Sequence, residues 1–437
     1  MKYVVSCLMT LLLGLPVAAE VLSLDAEEAV ELALAASHRR AAAESRVEAA
    51  TERTAAADAR RLPTLDLEAS VARRSSVPET AFPESIPDIG GFVLFPSIEN
   101  TYRTGLVVNQ RLWTGGAISQ SREAARHDET ATEAEAATVA ADLRYEARTA
   151  YWNAVAAAAA LDAARAEMER AGRLLEDARG LRAAGMAVRA DELGAEARLA
   201  GGEVRVIEAE AEAANRLAGL RSLLGLPPGS EIELAESISR LPAGPPALGT
   251  LIADATSNRP EIAVLTARRD ALASRSAAVA APGRPQVSLA ARWDVARPNE
   301  RYLPLEDQWN SSWSVGVVAG WRVFDGGRIG AEAAAVDAER AALQADLGEL
   351  ERRIALEAET TRRALEAALA AERAAAAAVA AAAARESDSR DRYTSGVATV
   401  SEVLDAQAEL AEAELALVRA RSSAWVAEAG LRRVVGR

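Results

Sequence analysis

Short segments that alternate apolar and polar residues lie between much longer helical segments. From Leu65 to Val71 every second residue is apolar and the residues between them are polar. This period of two is typical of a β-strand with one apolar face. The pattern predicts four strands, at about 64–73, 102–113, 287–295 and 313–323. About ten residues with an apolar face and a polar face are also typical of strands in an outer-membrane barrel.

Most of the remaining sequence is rich in alanine and follows the heptad spacing of coiled coils. Small and apolar residues recur at steps of four and three from Leu143 to Ala178 and again from Ala406 to Val434. This spacing predicts helices that pack side by side. A helix from Ala117 to Ala183 would be about 100 Å long at 1.5 Å per residue. The opening helix is expected from about Ala26 to Arg61.

The chain is internally duplicated. A Gly-Gly pair between a predicted strand and a long predicted helix occurs twice, 211 positions apart, at Gly115, Gly116, Gly326 and Gly327. The same offset relates Gly185 to Gly396, which would end the long helices. Upstream the offset is 222, so the first half carries extra residues, which fit the segment 75–100. We expect a first repeat at 20–227, a proline- and glycine-rich linker at 228–248 and a second repeat at 249–437.

Residues 1–19 have the character of an export signal, because Lys2 precedes an apolar run that ends in small residues. The only cysteine, Cys7, lies within that run. The exported chain would therefore contain no disulfide and no thiolate metal site. No apolar run long enough for a membrane-spanning helix follows.

Composition argues against several classes of function. The formal net charge is −14, so the chain lacks the excess of positive charge that is typical of proteins that bind nucleic acid. The two histidines lie in polar, arginine-containing helical segments, and no pattern indicates a nucleophile with an oriented base. We therefore expect no enzyme, no metal site and no cofactor.

Four strands with one apolar face cannot close a barrel by themselves. A closed barrel needs about eight strands or more, and an open sheet edge cannot face lipid because its backbone groups would be unpaired. Either the sheet is soluble, or several chains contribute strands to one barrel.

The sequence resembles the TolC-like family of outer-membrane efflux and secretion channels. The resemblance is carried by the paired turns at 112–118 and 323–329, the paired helix-hairpin turns at 182–193 and 393–404, and their order and spacing. It implies a homotrimer whose chains share a twelve-stranded barrel in the outer membrane and extend a helical tunnel into the periplasm. The fold class expected is mainly α, with a small β part and an internal repeat. The Gly-Gly pairs would mark the change from barrel strand to tunnel helix.

The hairpin turns would then lie at the periplasmic entrance of the pore. Asp191 and Glu402 lie six residues after Gly185 and Gly396, and Asp405 follows one helical turn later. In a trimer these acids could form rings that select cations; alternatively, they are acids that stabilise the first turn of a helix. Tyr393 matches a tyrosine that helps to link neighbouring helices in the family, with Asp191 of an adjacent hairpin as one partner for its hydroxyl. Plain interhelical packing is the other interpretation.

The resemblance implies a passive exit duct in a tripartite efflux or type I secretion system, working with a periplasmic adaptor and an inner-membrane transporter. The alternatives are that the chain is a periplasmic adaptor or a structural periplasmic coiled coil. An adaptor should contain a single helical hairpin, which the duplication contradicts. The two-faced strands argue against a coiled coil alone. The sequence does not identify the cargo, the energy source of the transporter or the adaptor.

Overall fold

The computed structural model describes residues 22–81, 83, 85, 91 and 93–437. The predicted export signal 1–19 therefore lies outside the described residues. The chain divides into two units, each built from both repeats. The helical unit comprises the residues up to Ala43 with Ala137–Pro260 and Glu351–Arg437, and the sheet unit comprises Glu44–Ala136 and Glu261–Leu350.

The two repeats contain the same principal elements. The first contains β1 (Leu22–Leu24), α1 (Ala26–Ala36), α2 (His38–Ala59), β2 (Thr64–Arg73), β3 (Thr80–Ala81), β4 (Val93–Phe95), β5 (Asn100–Trp113), α3 (Ala117–Ala183) and α4 (Arg189–Leu223). The linker and second repeat contain β6 (Ile232–Leu234), α5 (Leu248–Asn258), α6 (Pro260–Ala280), β7 (Gln286–Arg297), β8 (Asn310–Gly320), α7 (Arg328–Thr394) and α8 (Val400–Val434). Within the described ranges, and apart from the four short strands, each half has two helices, two strands and two long helices, as the duplication predicts.

The four long strands form one antiparallel sheet in the order β2-β5-β7-β8. On one face the register aligns apolar residues in rows, such as Leu67, Leu106, Trp293 and Trp313. The adjacent row on the other face consists of Glu68, Gly105, Asp294 and Ser312. The sheet therefore has an apolar face and a polar face, which confirms the interpretation of the alternating segments.

The long helices of the helical unit pack along the predicted heptad seams. Leu143, Ala147, Ala171 and Ala178 on α3 are each at most 2% exposed. On α8 the seam residues Ala406, Ala424 and Val434 are equally buried. The alanines allow close approach of the helix backbones, which is the packing that the heptad spacing predicted.

The prediction of one opening helix from Ala26 to Arg61 is wrong, because the helix breaks at Ser37. Ser37 has an extended backbone (φ −73°, ψ 115°), and its hydroxyl accepts the N–H of Arg40 at 3.3 Å. The hydroxyl caps α2, so a new helix begins where the first one ends. Arg259, at the equivalent place in the second repeat, is also extended, and Pro260 after it disfavours a helical conformation there.

The prediction that the last strand reaches Val323 is also wrong, because β8 ends at Gly320. Its partner β7 begins at Gln286, which pairs with Gly320. Residues 321–323 therefore have no neighbouring strand on the β7 side with which to continue the ladder. The Trp321 indole N–H instead donates to Gly283 O at 3.0 Å.

The predicted linker 228–248 contains an ordered strand. β6 pairs in parallel with β1, so Leu22 lies opposite Ile232. The Tyr151 hydroxyl joins this small sheet to α3, since it donates to Leu24 O at 3.0 Å and accepts the N–H of Glu236 at 3.2 Å. Burial is the main cause that raises the pKa of Tyr151 to about 12.

Among the described residues one helix, α7, has the length and composition to cross a membrane, with a window of mean hydropathy 1.4. The sequence analysis expected no such helix. α7 carries the alanine-rich tract 368–384, which is interrupted by Glu372 and Arg373. Glu372 is buried and accepts a hydrogen bond from Arg421 Nε of α8 at 3.1 Å. Because lipid offers a carboxylate no such partner, we assign this segment of α7 to helix packing.

A repeated arginine–glutamate pair ties the short helices to the long ones. Arg39 binds both carboxylate oxygens of Glu146 on α3, at 2.9 and 2.8 Å. Arg259 binds Glu357 on α7 in the same way, at 2.7 and 3.0 Å. Glu146 and Glu357 are equivalent, 211 positions apart, whereas Arg259 is equivalent to Ser37 and not to Arg39, so the two contacts share the glutamate but take their arginines from different positions.

Candidate functional site

Glycines end the two longest helices within the helical unit. Gly185 follows α3 with φ 75°, and Gly396 follows α7 with φ 74°. The N–H of Gly396 donates to Tyr393 O at 2.9 Å, and that of Val397 donates to Arg392 O at 2.8 Å; the Gly185 turn has the same two bonds. This is the Schellman arrangement, in which glycine is preferred because a Cβ is unfavourable at positive φ.

The Gly-Gly pairs in the sheet unit also form equivalent turns. Positive φ values from 64° to 97° occur at Gly115, Gly116, Gly326 and Gly327. Before them, Thr114 Oγ1 accepts the N–H of Ile118 at 3.3 Å, and Asp325 Oδ2 accepts the N–H of Ile329 at 2.8 Å. Each pair thus changes the chain from strand to helix, and the side chain before it satisfies one N–H group in the first turn of that helix.

Asp191 and Glu402 both occupy the third position of the helix after a hairpin turn. Asp191 Oδ2 accepts the N–H of Val188 at 3.1 Å, and Glu402 Oε1 accepts the N–H of Thr399 at 3.3 Å. Thr399 Oγ1 accepts the N–H of Glu402 in return, which completes a capping box. Both acids therefore stabilise a helix start, and this contact is compatible with a second role facing a pore.

Arginines surround the acids of the two turns. Arg392 lies 3.5 Å from Glu402. In the other hairpin Arg182 and Arg179 both bind Glu192, and the hydrogen bond from Arg182 holds the pKa of the Glu192 carboxyl below its usual range. Asp405 is exposed on α8. The charge at the turns is therefore a mixture of carboxylates and guanidinium groups.

Tyr393 is buried between the two hairpins, with 4% of its surface exposed. Its ring packs in a cluster with Leu174, Leu175 and Val403. Within the described residues the hydroxyl has no hydrogen-bond partner. Burial raises the pKa of Tyr393, followed by the charges of Asp191 and Asp177. Interhelical packing is thus present, and the expected bond to Asp191 is not formed within this chain.

The two hairpins are joined by polar contacts that the sequence analysis missed. Arg390 Nε of α7 donates to Asp177 Oδ2 of α3 at 2.9 Å. Further along the hairpins, Arg170 of α3 binds Glu414 of α8 at 2.6 Å, and Gln407 Nε2 donates to Arg170 O at 3.3 Å. Gln407 is a polar residue beside the apolar seam position Ala406, a signal that could have identified it.

Comparison with protein families finds a match to the outer membrane efflux protein family over residues 29–226 and 251–437. Among curated proteins, none matches the chain. Several solved structures are similar. The outer-membrane channel OprN is 22% identical, with a TM-score of 0.77 over 94% of this chain and 89% of that one. VceC of Vibrio cholerae is 21% identical, with a TM-score of 0.76 over 94% and 96%. The outer membrane channel MtrE of Neisseria gonorrhoeae, in its open state, is 19% identical, with a TM-score of 0.77 over 94% and 88%.

Proposed function

The chain belongs to the outer membrane efflux protein family and is an outer membrane efflux channel, not an enzyme; from this premise we propose that three copies build the channel and that the acids of the hairpin turns select its ions. The adaptor and the structural coiled coil considered from the sequence are thereby set aside. The helical hairpins would form the tunnel, and the sheet would form the part that crosses the membrane.

The sheet supports the proposal of a homotrimer. β2 and β8 are the two edges of the four-stranded sheet. On its apolar face large side chains are exposed, such as Leu67 at 75% and Trp313 at 71%. An open edge beside lipid leaves N–H and C=O groups unpaired, which costs several kcal/mol for each group. Three chains that pair β8 of one with β2 of the next would remove all such edges and give twelve strands.

At the hairpin turns, we infer that Asp191, Glu402 and Asp405 lie near the axis and that Tyr393 helps to hold the closed state. Their position beside the two Schellman turns, at one end of the long helices, supports this assignment. Rings of carboxylates at a constriction attract cations and repel anions. The contacts between Arg390 and Asp177 and between Arg170 and Glu414 would have to lengthen or exchange partners when the hairpins move apart.

For partners, we propose a periplasmic adaptor and an inner-membrane transporter. Helical hairpins with small residues on their surfaces offer grooves in which the helices of an adaptor could pack. The duct would be passive, and the transporter would select the cargo and supply the energy. Drug efflux, metal efflux and type I protein secretion all fit this arrangement.

Membrane extraction and electrical recording test the proposal. The protein should partition with the outer membrane, migrate as a heat-labile trimer and conduct ions across a planar bilayer. A monomer in aqueous buffer without any ion current would refute the trimeric duct. In conducting protein, Glu402→Ala with Asp405→Ala should weaken the preference for cations. Unchanged ion selectivity in this double variant would refute the proposal of an acidic entrance but would not affect the proposal of a duct.

A further inference from the structure

A continuous chain of hydrogen bonds crosses the polar face of the sheet. Arg292 of β7 binds Glu68 of β2 through Nη2 and binds Asp294 through Nε at 2.9 Å. Asp294 Oδ2 accepts the hydroxyl of Ser312 on β8 at 2.7 Å. Ser312 Oγ in turn accepts Asn299 Nδ2 from the loop between β7 and β8 at 3.1 Å. We call Glu68, Arg292, Asp294 and Ser312 the polar belt, because it reaches from one edge strand to the other.

Gly105 makes the belt possible. It lies on β5, between Glu68 of β2 and Asp294 of β7 in the same row. A Cβ at this position would lie 2.7 Å from Trp293 O and 3.0 Å from the Cβ of Asp294. Since β5 presents no side chain there, the long side chain of Arg292 can pass from β7 to β2. The glycine is thus explained by a close approach rather than by an unusual backbone angle.

The belt concentrates negative charge around one arginine. Asp66 lies in the same row as Arg292, and Glu68 and Asp294 lie in the next row. Arg292 binds two of these three carboxylates and is the one cation in these two rows of the polar face. Arg103 and Arg111 lie on the same face in other rows. Without Arg292, this middle part of the face would carry three acids and no base.

We infer that Arg292 lowers the cation selectivity of the membrane-spanning part of the duct by offsetting part of the field of these three carboxylates. The inference rests on the proposed function, in which the polar face lines the lumen of a trimeric barrel. Three chains would then place nine carboxylates and three arginines in the middle of the wall. With the arginines this part of the wall carries a net charge of −6, and without them it carries −9, so the exit attracts cations more strongly without them.

Arg292→Gln tests the inference, with zero-current potentials measured in planar bilayers under a KCl gradient. The cation-over-anion permeability ratio should rise by about two-fold in dilute salt, because each removed charge lies close to the current path. The difference should vanish near 1 M salt, where the Debye length falls from ~10 Å to ~3 Å. Arg292→Lys keeps the charge and should retain the wild-type ratio.

Arg73→Gln is the matched control. It removes the same charge from β2. Arg73 lies on the apolar face, the side opposite to Ala72 and Glu68, and is exposed beside Glu99. The cation-over-anion permeability ratio of Arg73→Gln should equal that of the wild type. An unchanged ratio in Arg292→Gln, or an equal rise in Arg73→Gln or Arg292→Lys, would overturn the inference, provided that the trimer is intact on unheated gels. Absence of current in the wild type would instead refute the proposed duct.

Discussion

An arginine placed on the apolar face of β8 should prevent assembly, whereas an arginine on the adjacent polar-face position should not. Val315 is 60% exposed in the single chain and lies in the middle of the strand Asn310–Gly320. It aligns with Ala291 of β7, on the face that carries Trp313. Ser314, one residue earlier, faces the polar side together with Arg292. The two variants Val315→Arg and Ser314→Arg add the same charge to the same strand.

The expected difference follows from the cost of an arginine in lipid. At the midplane of a bilayer, arginine on the lipid face of a barrel costs about 2–4 kcal/mol. Three copies would cost about 6–12 kcal/mol for each trimer, which is comparable with the ~5–15 kcal/mol that stabilises a typical folded protein. Val315→Arg should therefore lose most of the heat-labile trimer.

Membrane fractionation followed by unheated and heated gel electrophoresis measures the trimer directly, and urea unfolding in lipid vesicles gives the loss of free energy. Ser314→Arg should fractionate and migrate like the wild type. If both variants lose the trimer equally, or if Val315→Arg assembles normally, the assignment of the apolar face to lipid is wrong.

Four further variants test the helical unit. Gly185→Ala places a Cβ at φ 75° and should lower the free energy of unfolding in urea by about 1 kcal/mol. Gly180→Ala lies inside α3 with open space around it and should raise the free energy of unfolding by ~0.5–1 kcal/mol. Equal effects of the two variants would contradict the turn assignment. Tyr393→Phe removes a buried hydroxyl that has no partner among the described residues, so unfolding should show unchanged or higher stability. A loss of stability together with a leak current would mean that the assembled protein supplies a partner. The raised pKa of Tyr151, about 12, means that its contribution to stability is complete below pH ~10 and is lost as the pH rises towards 12. Tyr151→Phe should therefore be less stable at pH 8, because two hydrogen bonds are lost, and should show a smaller further loss between pH 10 and 12; an identical alkaline loss would contradict this assignment.

The sequence predicted the elements whose pattern is repeated and long. The alternation at Leu65, Leu67 and Val71 identified both faces of the sheet, and the offset between Gly185 and Gly396 identified both hairpin turns. The errors lie where a single side chain decides the local structure. Ser37 ends one helix and caps the next. The hydrophobic pattern of the whole segment does not reveal the effect of this one side chain.

Ion pairs between hairpins were beyond the reach of the sequence analysis. Arg390 and Asp177 are far apart in the chain, and neither belongs to an apolar period. The rotation of each helix decides which of many surface carboxylates an arginine binds. A heptad pattern specifies which face of a helix is buried, but it does not specify the exact rotation. The same limit applies to Glu68 and Arg292 on the sheet, whose pairing depends on the strand order and on Gly105.

Arg179 and Arg390 occupy equivalent positions in the two repeats, yet they differ in their partners. Arg179 binds Glu192 within its own hairpin, whereas Arg390 binds Asp177 of the other hairpin. Loss of the second ion pair would weaken the contact between the hairpins, which Arg170 and Gln407 also make, and would leave the pair of Arg179 unchanged. Divergence after duplication has thus turned an arginine that supports its own hairpin into one that couples two hairpins.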